Sequence, residues 1–144
     1  MAGRDEQGTG FTDEEKAAVK ERAKEARAAK KMTPEQAEAE VLAKIAELPD
    51  DDRAIAEAIH RLVRENAPEL TARTWYGMPA YAKGGKVLAF YQPASKFKAR
   101  YGTLGFNDPA ALDDGPMWAT TFAITALTPD VEARVADLLQ RAAG

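Results

Sequence analysis

The stretch AYAKGGKVLAFY, at residues 80–91, decides the fold of this chain. Two short runs rich in apolar and aromatic residues flank the segment Lys83-Gly84-Gly85-Lys86. A Gly-Gly pair between two such runs is typical of a two-residue β-hairpin turn, whose central residues need positive φ angles. The stretch therefore predicts two antiparallel strands joined by a tight turn.

Two more strands are predicted after this hairpin. One spans residues 98–106, and the other spans residues 117–125 after a loop rich in Asp, Gly and Pro. In the last of these strands Trp118, Phe122 and Ile124 alternate with small residues, as expected for a strand with one buried face. The sequence thus predicts an antiparallel sheet of about four strands.

Two helices are predicted near the N-terminus, each opened by a capping box. Thr12 and Glu15 predict a helix over about residues 13–31, and Thr33 and Gln36 predict a second helix that ends near residue 48. The first helix consists mainly of Ala, Lys, Glu and Arg and has no apolar face, whereas the second has an apolar stripe. We therefore expect only the second to belong to the core.

A third helix follows Asp50-Asp51-Asp52, and a fourth begins after Thr128. We expect one of the three aspartates to cap the third helix and the others to favour the positive end of its dipole. Helices grouped before and after a strand meander indicate a two-layer α+β domain rather than an alternating α/β sheet. We divide the chain into residues 1–31, a disordered lead-in plus a charged helix, and residues 32–144, a single domain.

Composition excludes several classes of function. The 144 residues include no cysteine and one histidine, which rules out disulfides, thiolate zinc sites, thiol nucleophiles and metal sites with two imidazoles. The net charge of −3 is the wrong sign for a domain that coats a phosphate backbone, so a nucleic-acid partner is not expected. No run approaches the ~18 apolar residues of a membrane span, which predicts a cytoplasmic protein without a membrane partner.

An enzymatic function is not favoured by the single histidine. His60 lies near Glu57 and Arg64 on the rim of the third helix's apolar face, where we expect ordinary hydrogen bonds rather than catalysis. The remaining Asp, Glu, Tyr and Lys residues form no recognisable catalytic constellation.

The aromatic segment Trp75-Tyr76-Gly77-Met78-Pro79-Ala80-Tyr81 is the most unusual part of the chain. Its three large rings could line a ligand pocket, because tyrosine and tryptophan present an apolar body and a polar tip. They could equally fill the core at a corner of the sheet, where the Gly and the Pro set the turn. Both interpretations stay open at this point.

A basic stretch follows, in which Lys96, Lys98 and Arg100 are interleaved with Phe97 and Tyr101. On an extended strand the three cations would lie on one side, next to aromatic rings. Such a surface suits a carboxylate or a phosphate, although lysines at a sheet edge also protect against aggregation.

The segment 75–81, the turn at 83–86, the run at 87–91 and the closing strand and helix from residue 120 to 139 resemble the YdhG-like bacterial domains. These domains are of unknown function, and some members are labelled frataxin-like or intracellular iron chaperones. The likeness covers roughly residues 40–144, and Tyr76-Gly77-Met78-Pro79 is its most specific element. It implies a small α+β domain with an antiparallel sheet and weak binding of Fe²⁺, with no residue carried over as an iron ligand.

The leading hypothesis is a non-enzymatic domain that binds a small ligand, with iron as the version that the resemblance implies. The expected ligand-binding residues are Trp75, Tyr76, Met78, Tyr81, Lys98, Arg100 and Tyr101. The alternative hypothesis is a module that binds a partner protein or nucleic acid through the charged N-terminal helix and the basic stretch at residues 96–100.

Overall fold

The computed structural model describes residues 12–29 and 32–144, without the side chains of residues 25–29. The helices are α1 (Asp13–Ala29), α2 (Pro34–Ala46), α3 (Asp50–Asn66) and α4 (Pro129–Ala143). The strands are β1 (Thr71–Trp75), β2 (Met78–Lys83), β3 (Lys86–Gln92), β4 (Gly102–Phe106) and β5 (Thr121–Ile124). The predicted lead-in at residues 1–10 lies outside the described residues, as does the expected end of the first helix at residue 31.

The five strands form one antiparallel sheet in the order β1-β2-β3-β4-β5, which confirms the α+β class. The predicted hairpin is present, and Gly84 and Gly85 both have positive φ angles of 59° and 82°. The fifth strand is β1, which pairs with β2 across a second two-residue turn at Tyr76 and Gly77. The strand count of four was therefore wrong, because the sequence TARTW of β1 contains no run of apolar residues.

The strand predicted over residues 98–106 is shorter than expected. A 3₁₀ helix (Ala94–Phe97) follows Pro93, Lys98 has a left-handed φ of 55°, and β4 begins only at Gly102. Because the backbone at residues 94–98 is not extended, the basic side chains do not line one side of a strand. The strand predicted over residues 117–125 is likewise limited to β5, whose four residues are those that pair with β4.

The core lies between the sheet and the helices α2, α3 and α4. Strand residues that face these helices include Tyr81, Tyr91 and Leu104, which belong to the main apolar cluster together with residues of all three helices. Residues that alternate with them, such as Trp75 and Phe90, lie on the opposite face of the sheet. Successive residues of a strand therefore face either the helices α2, α3 and α4 or the opposite side of the sheet.

Helix starts agree with the sequence in all but one case. Thr12 and Thr33 form the expected capping boxes with Glu15 and Gln36, and Thr128 accepts a hydrogen bond from Val131 N–H. The exception is α3, whose N-cap is Pro49 and which has no side-chain cap. The expectation that one of the three aspartates caps α3 was wrong, because the helix already includes all three residues in its first turn.

Candidate functional site

Three of the expected ligand-binding residues meet at the turn between β1 and β2. The Trp75 ring packs edge-on against Tyr76 at 4.7 Å between centroids and lies 5.2 Å from the Phe90 ring. Met78 is buried opposite Trp75 in the β1–β2 pair, whereas Trp75 and Tyr76 are half-buried. The structure brings these residues together as a packed aromatic cluster on the face of the sheet opposite to α2, α3 and α4.

Helix α1 contacts this aromatic cluster and the basic stretch. Arg22 stacks over the Tyr76 ring at 5.5 Å, and the Glu21 carboxylate lies 3.4 Å from Lys96 Nζ and 3.8 Å from Lys44 Nζ. The positive charge of Lys96 is therefore already matched within the chain. This arrangement leaves Lys96 a poor candidate for recognition of an external anion.

Tyr81 lies on the other face of the sheet, in the core, with 1% of its surface exposed. Its hydroxyl is 2.9 Å from His60 Nδ1, and His60 Nε2 is 2.8 Å from Glu38 Oε2. When Glu38 accepts the Nε2 proton of a neutral imidazole, Nδ1 is left to accept the Tyr81 hydroxyl proton. His60 is thus a structural residue with ordinary hydrogen bonds, as expected, although it is more deeply buried than a rim position.

Arg64 completes this polar network at the surface. Its Nε donates to Glu38 Oε2 at 2.9 Å, and its Nη1 donates to the carbonyl of Leu70. Burial acts to raise the pKa of Glu38, but hydrogen bonds from His60 and Arg64 and the positive charge of Arg64 outweigh it and hold the pKa below its usual range. Burial raises the pKa of the Tyr81 hydroxyl. Each polar side chain of the network therefore has a partner.

Arg100 and Tyr101 lie at a different place, in a groove between the N-terminus of α3 and the segment that precedes β4. The groove has a volume of about 600 Å³. Its walls comprise Pro49, Asp50, Asp51, Asp52, Ile55, Ala94, Ser95, Ala99, Arg100, Tyr101, Gly102, Ile124 and Thr125. Arg100 stacks over Tyr101 at 5.2 Å, whereas the exposed Lys98 is not part of the wall.

Asp52 is the most buried charged residue of the groove, with 6% of its surface exposed. Its Oδ2 accepts hydrogen bonds from the backbone N–H and from the hydroxyl of Ser95, which lies 43 residues further along the chain. Both bonds fall on Oδ2, and Oδ1 has no hydrogen bond among the described residues. Asp52 therefore connects α3 to the 3₁₀ helix and keeps one carboxylate oxygen available.

Tyr91 lies directly behind the wall of the same groove. Its side chain has no exposed surface, and its hydroxyl has no hydrogen-bond partner within the part of the chain that the structure describes. The hydroxyl packs against Gly102, a residue of the groove wall, so closely that a Cβ atom on Gly102 would collide with it. Burial raises the pKa of Tyr91, and the nearby charge of Asp52 raises it further.

The site therefore differs from the one that the sequence predicts. Arg100 and Tyr101 belong to the groove, whereas Trp75, Tyr76 and Met78 form the aromatic cluster and Tyr81 is in the core. Sequence reasoning missed Ser95 and Gly102 as groove residues and Tyr91 as the residue packed behind Gly102, and it assigned the aspartates to a cap. The failure of these aspartates to cap α3 is the structural signal that one of them has another role.

A second groove, of about 450 Å³, lies between α4 and the loop before β5. It is lined by Trp118, Phe122 and Leu138 together with exposed charged residues such as Arg134. No buried polar side chain is among its lining residues. Its walls thus offer apolar contact but no fixed hydrogen-bonding group.

The described ranges contain neither a cluster of metal-ligating side chains nor a membrane-spanning helix. Within residues 12–29 and 32–144, no group of three or more His, Cys, Asp or Glu side chains is arranged to hold a metal ion. None of the helices in these ranges is long and apolar enough to cross a membrane.

No family model, no curated protein and no solved structure matches this chain. The resemblance to YdhG-like domains therefore rests on the sequence segments quoted above and stays a prediction.

Proposed function

We propose that this protein is a cytoplasmic binding domain for a small polar ligand, which it holds in the groove between α3 and β4. The observation that carries the proposal is the Tyr91 hydroxyl, which is buried against Gly102 of the groove wall and has no hydrogen-bond partner among the described residues. A buried polar group without a hydrogen bond costs about 1–3 kcal/mol, so such a group in a folded protein calls for a specific explanation.

Two other features support the groove over the aromatic cluster. The groove combines the buried carboxylate of Asp52 with the apolar side chains of Ile55 and Ile124, a mixture that is usual in a small-molecule site. In the aromatic cluster, by contrast, Arg22 already covers Tyr76, and Glu21 already pairs with Lys96. The groove is therefore the better candidate for an external ligand.

Fe²⁺ has less support than an organic compound as the ligand of this groove. Asp50, Asp51 and Asp52 offer the hard oxygen ligands that Fe²⁺ accepts, but Asp50 is paired with Arg53 and Asp52 with Ser95. These existing partners would compete with a metal ion. We therefore treat Fe²⁺ as one member of the set of compounds to be tested rather than as the expected ligand.

The proposal is tested by nuclear magnetic resonance of the ¹⁵N-labelled full chain. The protein is titrated with anionic, cationic, zwitterionic and uncharged polar metabolites and, without oxygen, with Fe²⁺. We expect at least one compound to shift the amide signals of Ser95 and Gly102 in a saturable way. An Arg134→Ala variant, altered in the second groove, should bind the same compound equally well. Shifts confined to residues of the second groove, or no saturable shift at all, would overturn the proposal.

A further inference from the structure

The free polar groups of the groove carry charges of both signs, on opposite walls. Asp51 and Asp52 belong to the N-terminus of α3, and Arg100 belongs to the segment before β4. Asp51 and Arg100 are exposed and form no ion pair with any described side chain, and Oδ1 of Asp52 accepts no hydrogen bond from one. The groove thus offers unmatched carboxylate oxygens on one wall and an unmatched guanidinium on the other.

The Tyr91 hydroxyl adds a buried polar group directly behind Gly102 of the groove wall. It lies near enough to Asp52 to sense that charge, yet no hydrogen bond joins the two groups. An ammonium group has three N–H donors, and both Asp52 Oδ1 and Tyr91 Oη have lone pairs to accept them. One ammonium could therefore satisfy two groups that have no hydrogen bond to any described residue.

A ligand of a single charge would fit this groove poorly. A simple carboxylate could pair with Arg100 but would lie close to Asp51 and Asp52, and like charges at short range are repulsive. A simple amine could pair with the aspartates but would leave Arg100 unmatched. Arginine binds carboxylates through two parallel hydrogen bonds, so its position opposite the aspartates suits a ligand with both groups.

We propose, on the basis of the ligand site assigned above, that the ligand is a small zwitterion of the amino-acid type. Its ammonium group binds between Asp52 and Tyr91, and its carboxylate binds to Arg100. An aliphatic portion of such a ligand packs against Ile55 and Ile124, which also line the groove.

The test is isothermal titration calorimetry of the full chain with a set of free α-amino acids that differ in the side chain. For each amino acid that binds, the amine without the carboxylate and the carboxylic acid without the amino group are titrated next. We expect the amino acid to bind about tenfold or more tightly than either analogue, since a hydrogen bond to a charged group contributes roughly 1.5–3 kcal/mol.

Three variants test which charged group of the ligand contacts which wall of the groove. Arg100→Gln should weaken the amino acid and the carboxylic acid but not the amine. Tyr91→Phe should weaken the amino acid and the amine but not the carboxylic acid. Lys98→Gln removes a neighbouring charge that is not part of the groove wall, and it should leave all three affinities unchanged.

The outcomes separate this inference from the proposed function. If sugars or simple anions shift the amide signals of Ser95 and Gly102 while no amino acid binds, the groove is a ligand site but its ligand is not a zwitterion. If amino acids bind but Arg100→Gln and Tyr91→Phe leave the affinity unchanged, the inference is also wrong. If no compound of any class shifts the groove, both proposals fail.

Discussion

Tyr81 and Tyr91 have the same residue type, face the same side of the sheet and are almost completely buried, with 1% and 0% of their surfaces exposed. Their hydroxyls nevertheless differ in hydrogen bonding. That of Tyr81 begins a closed chain of hydrogen bonds through His60 and Glu38 to Arg64. That of Tyr91 has no partner among the described residues. A closed network stabilises a fold, whereas a buried hydroxyl without a hydrogen bond calls for a specific explanation, which the proposed ligand would supply.

The largest effect is expected from Gly102→Ala, because the new methyl group would overlap the Tyr91 hydroxyl and the end of its ring. Overpacking of a buried site of this kind destabilises a protein by about 3 kcal/mol. Chemical denaturation of the variant measures this loss. If Tyr91 causes it, Tyr91→Leu in the same background should recover part of the stability, and strictly additive effects would contradict the close contact.

A somewhat smaller loss is expected from Tyr81→Phe. The substitution preserves the ring but removes the hydroxyl that is hydrogen-bonded to His60 Nδ1, and it leaves that buried nitrogen without this partner. A buried polar group that loses its hydrogen bond costs about 2 kcal/mol, which is measured as the change in the free energy of unfolding in urea. A variant as stable as the wild type would mean that the His60 network does not stabilise the fold.

The next effect concerns acid stability. The pKa of Glu38 is lower in the folded chain than in the unfolded chain, so the unfolded state binds a proton more readily. The stabilisation is complete above the unfolded pKa and is lost as the pH falls through the folded pKa. We expect the melting temperature of Glu38→Gln to decrease less than that of the wild type below the normal titration range of a carboxyl group. Parallel curves for the two proteins would contradict this assignment.

The smallest effect on stability is expected from Tyr91→Phe. This change removes a hydroxyl that makes no hydrogen bond within the described chain, so the folded protein should be unchanged or stabilised by up to ~1 kcal/mol. Urea unfolding alongside Tyr81→Phe gives the contrast directly. A loss as large as that of Tyr81→Phe would show that the two hydroxyls are equivalent, and the comparison would fail.

Local signals explain why much of the fold could be predicted from the sequence. The Gly84-Gly85 pair and the Thr33–Gln36 capping box each specify their structure within a few residues. Strand β1 has no such signal, since its small and polar residues owe their strand conformation to pairing with β2. The early end of extended structure near Pro93 likewise depends on packing that a pattern of alternating charges does not reveal.

The candidate site depends on contacts that are distant in sequence, and it was only partly predictable. Arg100 and Tyr101 were expected from their own chemistry, and they do line the groove. Asp52, by contrast, is defined by its bond to Ser95, and Tyr91 by its approach to Gly102. A run of three aspartates before a helix resembles an ordinary cap, so only the three-dimensional structure shows that Asp52 is used elsewhere.

The most direct test of a ligand site at Tyr91 is the affinity of Tyr91→Phe for an amino acid that binds the wild-type protein, with stability measured on the same samples. The zwitterion model predicts a variant at least as stable as the wild type that binds about tenfold more weakly, as expected for one lost hydrogen bond to a charged group. Unchanged affinity, or a loss of affinity that accompanies a comparable loss of stability, would contradict it.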